Sequence, residues 1–351
     1  MSRYQRNPWL FMEWDDGDRV GVVDARSHSK YRVDPSLLRL LNRMSTPAGP
    51  GELHLNGYSS EELDALLQRM ARVGLVEVVG DDGADALPQY HGEWSTSELA
   101  VHARSGRGGK QKVRRSEIPD ARLQHAEVLH TIPLLESELP SKPLDEVLSS
   151  RRSIRDFATT PLTLDRLAAF LGTAARVRGW LGEWTWQTTR RPSASGGARH
   201  STELYLVVRD VTGLEPGAYH YDPFTHELHQ LQHWNDEHDE LQRRFLCGPM
   251  LVDTPPPVSL YLASYFRRIQ CKYGAMTLSL IYREVGCLLQ TLYLVATDLD
   301  LAPCATALTE SDPSPGFLGE HRDQFVHSGN FALGTPAAVE PAAPGFHPLG
   351  S

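Results

Sequence analysis

The first part of the chain contains one stretch whose apolar residues follow the period of a helix. A helix is predicted where such residues recur three or four positions apart, at Leu63, Leu66, Leu67, Met70 and Val73. Ser59 and Glu62 have the spacing of a capping box, which predicts where this helix begins. Gly74 predicts where it ends.

Short strands and a second helix are predicted on either side of this helix. Residues 9–23 predict two strands joined by the turn Asp15–Asp18. Asp34 followed by Pro35 predicts a helix start, and Leu75–Val79 predicts a closing strand. This order is typical of a winged-helix-like module over residues 1–85.

A winged-helix-like module binds either nucleic acid or a peptide that adds a strand to its sheet. The chain has 35 basic and 44 acidic residues, a formal net charge of −9. Broad binding to nucleic acid or to an anionic membrane surface needs clustered cations, so the charge disfavours both. The acidic balance favours a peptide.

The glycine-rich and acidic segment Gly80–Gly92 is the predicted boundary of a second domain, over residues 93–335. Its pattern is mixed α+β, with no regular alternation of strands and helices and no nucleotide-binding glycine motif. The predicted helices are Ser95–Arg104, Leu144–Ser150, Leu164–Arg178 and Leu278–Asp298, and the predicted strands include Leu204–Val208 and Ala218–Tyr221. Residues 336–351 are rich in Pro, Ala and Gly and are predicted to be a disordered tail.

Cysteine spacing and the N-terminus limit the class of protein further. The four cysteines lack the CxxC spacing of a zinc site, so we expect reduced thiols and no metal. The N-terminal residues contain acids and no long apolar run, which argues against a secretory signal. The apolar stretch Thr277–Leu299 contains Arg283 and Glu284, which favours a buried helix over a membrane span. We therefore expect a cytoplasmic protein.

The segment Arg151–Phe157, RRSIRDF, concentrates phosphate-binding chemistry where a helix gives way to extended chain. The guanidinium groups of Arg151 and Arg152 can pair bidentately with phosphate oxygens, and the hydroxyl of Ser153 can add a hydrogen bond. The alternative is a solvated basic helix end that the helix dipole favours.

The segment Arg191–Ala198, RPSASGGA, combines serines with glycines ahead of an apolar strand. Small residues allow a flat ligand to approach the backbone, whereas a plain turn is the alternative. The following hairpin carries four histidines whose spacing completes no recognisable metal site, so histidines on a strand surface are favoured. They are His220, His226, His229 and His233.

The dipeptide Lys272–Tyr273 places two groups that can transfer protons just before the long apolar helix. A surface position is the alternative for both residues. Within the helix, Gln290 could bond a ring system or a neighbouring helix.

Four segments in this order, RRSIRDF, RPSASGGARHSTELYLVV, GAYHYDP and CKYGAMTLSLIYREVGCLLQTLYLVATDLDL, resemble the nitroreductase-like flavoprotein superfamily. The resemblance is to its SagB-type azoline dehydrogenases and extends over residues 93–335. It implies an α+β nitroreductase-like fold with an antiparallel-rich sheet, flanking helices and a long buried central helix. It also implies a homodimer that binds FMN and oxidises thiazoline or oxazoline rings to thiazole or oxazole in a ribosomally made precursor peptide, alongside cyclodehydratase partners.

The resemblance also implies roles for single residues. The FMN phosphate would be bound by Arg151, Arg152 and Ser153, with Arg155 nearby. Lys272 and Tyr273 would carry the azoline oxidation. The ribityl chain or isoalloxazine ring would be bound by Ser193, Ser195, Gly196, Gly197 and Gln290.

Three parts of the chain differ from the residues that SagB-type dehydrogenases often have, namely Cys287, Thr291 and the segment Pro303–Ala307. These differences imply altered contacts with the flavin. Two other functions therefore remain open. One is an NAD(P)H-dependent nitroreductase or small-molecule flavin oxidoreductase. The other is a non-catalytic scaffold that recruits peptide to a partner.

Overall fold

The computed structural model describes residues 2–13, 20–25, 27, 29–79, 94–105, 118–136, 141–182, 186–306 and 314–337. Three of the segments that the sequence analysis singled out lie wholly or mostly outside these residues. They are the turn Asp15–Asp18, the boundary Gly80–Gly92 and the tail 336–351, of which only the first two residues are described.

The chain divides into two compact units, residues 1–108 and 109–351. The helix predicted at Ser95–Arg104 is present as Thr96–Ser105, but it belongs to the first unit and not to the second domain. The reason is apolar packing, because Leu99 is buried against Trp9 and Ala25.

The described part of the first unit contains five strands, three α-helices and the 3₁₀ helix Pro50–Glu52. The strands are β1 (Arg3–Arg6), β2 (Leu10–Glu13), β3 (Val20–Asp24), β4 (Lys30–Val33) and β5 (Val76–Val79), and the helices are α1 (Pro35–Arg43), α2 (Ser60–Arg72) and α3 (Thr96–Ser105). The order β2-β3-β4 forms one antiparallel sheet, while β1 pairs with β5.

The capping box predicted at the start of α2 is confirmed. The Ser59 hydroxyl accepts from the Glu62 amide at 3.3 Å, and the Glu62 carboxylate accepts from the Ser59 amide at 2.8 Å. Both bonds satisfy amides that a helix start would otherwise leave unpaired. The core-facing side of α2 then buries Leu63, Leu67 and Met70.

The second unit is built around a seven-stranded antiparallel sheet with the order β15-β16-β14-β10-β12-β13-β6. The sheet strands are β6 (His130–Pro133), β10 (Thr202–Val208), β12 (Gly217–Asp222), β13 (Glu227–His233), β14 (Val258–Tyr265), β15 (Ala302–Thr306) and β16 (Phe325–Gly334). Shorter strands are β7 (Leu162–Thr163), β8 (Gly179–Gly182), β9 (Thr188–Arg190) and β11 (Val211–Thr212).

Where the second unit is described, the α-helices longer than one turn that accompany the sheet are α4 (Leu144–Ser150), α5 (Leu164–Ala174), α6 (Asp236–Gln242), α7 (Arg267–Tyr273) and α8 (Thr277–Asp298). A π turn, Arg243–Cys247, and the short helix Gly248–Met250 continue α6. Helix α5 begins at the predicted cap, Thr163, but ends four residues before Arg178. It ends early because the Val177 amide bonds the Pro223 carbonyl outside the helix.

Both faces of the sheet are covered, so every residue of β10 is buried. On one face, Leu204 and Leu206 pack with residues of α5 and α8 in the largest core cluster. On the other face, Tyr205 and Val207 pack with Phe317, which lies in the 3₁₀ helix Gly316–Gln324. This architecture confirms the predicted α+β nitroreductase-like fold.

The predicted long central helix is α8, which buries one face. Its buried residues are Ile281, Glu284, Val285, Leu288, Leu292, Val295 and Ala296. By length and composition alone, residues 267–298 include a stretch that is apolar enough to cross a membrane, and core helices of soluble proteins meet the same criterion.

The expectation of surface histidines on the hairpin is wrong for His220 and His226. Both are buried: His220 lies on β12 in the covered sheet, whereas His226 lies in the turn before β13 and packs against Gly172 of α5. The His220 ring lies 3.0 Å from the Glu203 carboxylate, and His226 contacts the Tyr221 hydroxyl at 2.9 Å.

Candidate functional site

The arginine-rich segment begins where α4 ends. The Arg151 guanidinium lies over the Tyr293 ring at 5.3 Å, and the Ser153 hydroxyl is 2.8 Å from the Tyr293 hydroxyl. The Ile154 amide donates to the Pro303 carbonyl at 2.8 Å. Since Tyr293 belongs to α8 and Pro303 to β15, the segment is held by both elements.

Arg151, Arg152 and Arg155 put three cations within five residues. Arg152 and Arg155 are exposed, and Arg151 is half-buried. None of the three forms an ion pair with a carboxylate in the part of the chain that the structure describes. Their guanidinium groups are therefore suited to a ligand phosphate.

The small-residue segment is fixed to α8 by a buried carboxylate. Glu284 accepts from the Ser195 hydroxyl at 2.6 Å, from the Ser201 hydroxyl at 3.1 Å and from the Thr202 amide at 3.1 Å. The Ser195 hydroxyl also accepts from the His200 amide at 2.8 Å. This hydroxyl, which was expected to lie along a flavin, is thus engaged in holding its own segment.

Sequence reasoning took Glu284 only as an argument against a membrane helix. Its position carried a further signal, because it lies on the same side of α8 as Ile281, Val285 and Leu288, all of which are buried. A lone acid among core-facing residues of an apolar helix needs buried hydrogen-bond partners.

Gly197 has a left-handed backbone, with φ of +64°. A Cβ at this position would lie 2.6 Å from Lys272 Nζ and 2.6 Å from the Tyr273 hydroxyl oxygen. Real Cβ atoms do not make such short contacts. The structure therefore brings the predicted proton-transfer pair directly against the predicted glycine segment.

Lys272 is buried at the end of α7 and its ammonium lies among aromatic rings. Nζ is 5.2 Å from the Trp186 ring centre, 5.7 Å from that of Tyr273 and 3.4 Å from the Gly197 carbonyl. Rings at these distances attract a cation through their negative faces. The surface alternative is excluded for Lys272, which is only 8% exposed.

Helix α7 is anchored by Arg268, one turn before Lys272 and fully buried. Arg268 pairs with Glu203 and donates to the carbonyls of His200, at 3.1 Å, and Asp120, at 3.0 Å. Burial would raise the pKa of Glu203, but the charge of Arg268 and the hydrogen bond with His220 hold it well below its ordinary value. Nothing in the sequence pattern indicated this network, because its members lie far apart in the chain.

Two predicted residues lie apart from these contacts. The Gln290 side chain is exposed on α8, about one turn before Tyr293. Ser193 lines a small cavity with Arg191, whose Nε and Nη2 are buried without a hydrogen-bond partner among the described residues. Burial lowers the pKa of Arg191 to about 10.

Most of the predicted residues therefore form two clusters that lie beside α8. Gly197, Lys272 and Tyr273 lie near Glu284, while Arg151 and Ser153 lie near Tyr293. Glu284 and Tyr293 are nine positions apart, which corresponds to about 13 Å along α8. The arginine that can bind a phosphate lies at one end and the proton-transfer groups lie at the other. This order suits an elongated ligand that carries a phosphate.

Comparison with known proteins identifies the family of the chain. Residues 148–313 match the model of the nitroreductase family. A protein of Methanocaldococcus jannaschii that is named as a nitroreductase is 34% identical over 158 residues, which are 45% of this chain and 75% of the relative. The trifolitoxin-processing protein TfxB of Rhizobium leguminosarum is 37% identical over 73 residues, 20% of each chain.

Solved structures are similar at lower identity. A protein of Ralstonia eutropha JMP134 that is named as a nitroreductase has 20% identity and a TM-score of 0.46, covering 66% of this chain and all of that one. A nitroreductase of Bacteroides fragilis solved with bound FMN has 15% identity and a TM-score of 0.36, covering 60% and 97%.

The family match includes the arginine segment, the glycine segment and α8, and the Methanocaldococcus relative is matched over three quarters of its length. The expected FMN cofactor agrees with this family. The chain belongs to the nitroreductase family.

Proposed function

We propose that the protein is an FMN-dependent dehydrogenase that oxidises thiazoline or oxazoline rings to thiazoles or oxazoles in a ribosomally made peptide. The observation that carries the proposal is the convergence of Lys272 Nζ and the Tyr273 hydroxyl on Gly197. Azoline oxidation needs a group that takes a proton from the substrate, and both the buried Lys272 and the partly buried Tyr273 can serve at this point.

The residues present fit FMN in two respects. Three arginines without described carboxylate partners can bind its phosphate, and the space above Gly197 cannot hold a side chain. The residues that would hold the cofactor are Arg151, Arg152, Ser153, Arg155, Ser193, Gly196, Gly197 and Gln290. Ser195 would hold the glycine segment in place through its hydrogen bond to Glu284. When bound, FMN supplies an acceptor for a hydride.

Aromatisation removes one hydride and one proton, so two electrons, from each azoline ring. Lys272 as its neutral amine, or Tyr273 as a phenolate beside the Lys272 ammonium, takes the proton from the ring carbon that was the amino acid α-carbon. Lys272 is buried, so water is largely excluded around its ammonium group. The hydrogen bonds of Arg268 orient α7 so that Lys272 and Tyr273 both face Gly197. Each turnover then needs an electron acceptor, such as dioxygen, to reoxidise the cofactor.

The first unit offers a site for the peptide. A groove of about 540 Å³ lies between β2 and α1, and the residues lining it include Leu10, Met12, Arg6 and Arg39. Among the residues that the structure describes, strand β2 is at the edge of its sheet and pairs with β3 alone. An extended segment with apolar and acidic residues suits this groove, because it can add a strand to β2 and pair with the two arginines.

A homodimer would cover the exposed apolar surface of the second unit. Leu278 and Tyr282 are exposed on α8, and Leu144 and Leu148 are exposed on α4. Exposed apolar side chains grouped on helices are typical of surfaces that associate.

The relatives support two candidate functions. The partial similarity to TfxB, named as a processing protein for trifolitoxin, supports modification of a peptide, with cyclodehydratase proteins as the partners that make the rings. The Methanocaldococcus relative, named as a nitroreductase, supports reduction of small molecules with NAD(P)H as the second candidate.

The direct test is to incubate the FMN-loaded protein in air with a cyclised precursor peptide and to measure the product mass. The proposal predicts a loss of about 2 Da per ring, because each aromatisation removes two hydrogens. Rapid NADPH-driven reduction of a nitroarene, with the peptide mass unchanged, would favour the second candidate.

A further inference from the structure

We propose that His125, Glu320 and His321 form a zinc site that is separate from the flavin site. One ligand atom of each residue lies within 4.8 Å of the other two. The three residues lie with Leu123 and Phe317 on the side of the sheet opposite α8. The inference is independent of the proposed azoline chemistry.

Each of the three side chains is oriented by a further hydrogen bond. His321 Nε2 lies 2.8 Å from the Gln124 carbonyl and 3.3 Å from Glu320 Oε1. Both oxygens can only accept, so Nε2 carries the hydrogen and Nδ1 keeps its lone pair. The Ala126 amide donates to Glu320 Oε1 at 2.8 Å, and the Tyr205 hydroxyl lies 3.0 Å from His125 Nε2. Metal-binding histidines and carboxylates are characteristically held by such second partners.

The chemistry of the donors selects the kind of metal. Two imidazoles and one carboxylate suit zinc, whereas calcium and magnesium prefer oxygen ligands only. Since Glu320 is exposed, water can occupy a fourth position.

Zinc at this position would join two segments that are far apart in the chain. It would connect residues 118–126 to the 3₁₀ helix Gly316–Gln324. The carbonyls of Pro119 and Asp120 accept from Arg199, at 2.8 Å, and Arg268, at 3.0 Å. The metal would thereby stabilise the segment that supports α7.

The test is a zinc titration of the tag-free, chelator-treated full-length protein, in competition with a chromophoric chelator. The wild type should bind one equivalent of Zn²⁺, and Mg²⁺ should not compete. His321→Ala and Glu320→Gln should each weaken zinc binding at least ~100-fold, since loss of even an orienting partner costs 10–100-fold. Zn²⁺ should also raise the temperature of unfolding of the wild type but not of the variants.

His233→Ala is the matched control, because His233 is an exposed histidine outside the cluster. It should bind zinc like the wild type. The proposal is overturned if the folded wild type binds no stoichiometric zinc, or if His233→Ala weakens binding as much as His321→Ala does. Circular dichroism of each variant establishes that a loss of binding does not come from a loss of folding.

Discussion

The Glu284 carboxylate accepts a 2.6 Å hydrogen bond from the Ser195 hydroxyl, although the two residues are 89 positions apart in the chain. Through this bond and those to Ser201 and Thr202, one buried acid fastens the glycine segment to α8. The position of Gly197 against Lys272 and Tyr273 depends on this attachment.

Replacing Glu284 with Ala should lower the free energy of unfolding by about 2–4 kcal/mol. Hydrogen bonds to a charged group are worth about 1.5–3 kcal/mol each, and their loss leaves buried donors unpaired. Urea denaturation measures the change. Arg283→Ala, at the exposed neighbouring position, should change stability by no more than about 0.5 kcal/mol. Equal effects of the two substitutions would contradict the role of Glu284.

Replacing Lys272 with Met, or Tyr273 with Phe, should reduce the rate of azoline oxidation by about 10²- to 10⁴-fold, the usual contribution of a general acid or base. FMN should stay bound, because neither residue is in the arginine cluster. Gln270→Ala, an exposed position on the same helix, should retain full activity. Full activity in both site variants would remove the pair from the mechanism.

Replacing Gly197 with Ala should abolish peptide oxidation while the fold is retained. The added Cβ would displace Lys272 Nζ and the Tyr273 hydroxyl, and the left-handed backbone adds a cost of about 1–2 kcal/mol. Gly49→Ala is the control, because no atom lies within 4 Å of a Cβ there and φ is −82°. Activity assays with a denaturation curve for each variant separate the two effects. Unchanged oxidation by Gly197→Ala would show that the convergence on this glycine has no catalytic role.

Replacing Arg152 with Ala should weaken FMN binding about 10- to 100-fold, since a charge-assisted hydrogen bond contributes about 1.5–3 kcal/mol. Flavin fluorescence during titration of the flavin-free protein gives the affinity. Arg322→Ala removes an exposed arginine elsewhere and should bind FMN normally. An equal affinity of Arg152→Ala and wild type would place the phosphate elsewhere.

The stability of the protein should fall as the pH is lowered from about 6 to 4. Burial lowers the pKa of His238 to about 4, below the value of about 6.5 for an unfolded histidine. The unfolded chain therefore binds a proton in this range that the folded chain does not. The expected slope from this residue is about 1.4 kcal/mol per pH unit.

Urea denaturation at several pH values measures this slope. His238→Gln should reduce it, whereas His233→Gln, at an exposed position, should leave it unchanged. A slope that is the same in both variants would exclude His238 as its source.

Local patterns predicted local structure well. Ser59 and Glu62 cap α2, and Thr163 caps α5, because a cap depends on residues only three positions apart. The ends of elements were less predictable. Helix α5 stops at Ala174 since its next amides bond to the distant carbonyls of Pro223 and Arg190.

The site itself required the tertiary structure. Lys272 and Gly197 are 75 positions apart, and no spacing rule indicates that they meet. His220 was placed on a surface because alternation along a strand cannot show that both faces of the sheet are covered. The sequence did not indicate the structural roles of Arg268, Glu203 and Glu284 for a related reason. Charged residues are usually exposed, and only the folded structure shows which of them are buried against hydrogen-bond partners.

The most direct test of the account is anaerobic reduction of the flavin by the peptide. FMN-loaded protein is mixed with a cyclised precursor peptide without NAD(P)H, and the flavin absorbance is followed. The account predicts bleaching in the wild type and none within the same time in the Lys272 and Tyr273 variants. Flavin that stays oxidised with the peptide, but is bleached at once by NADPH, would contradict it.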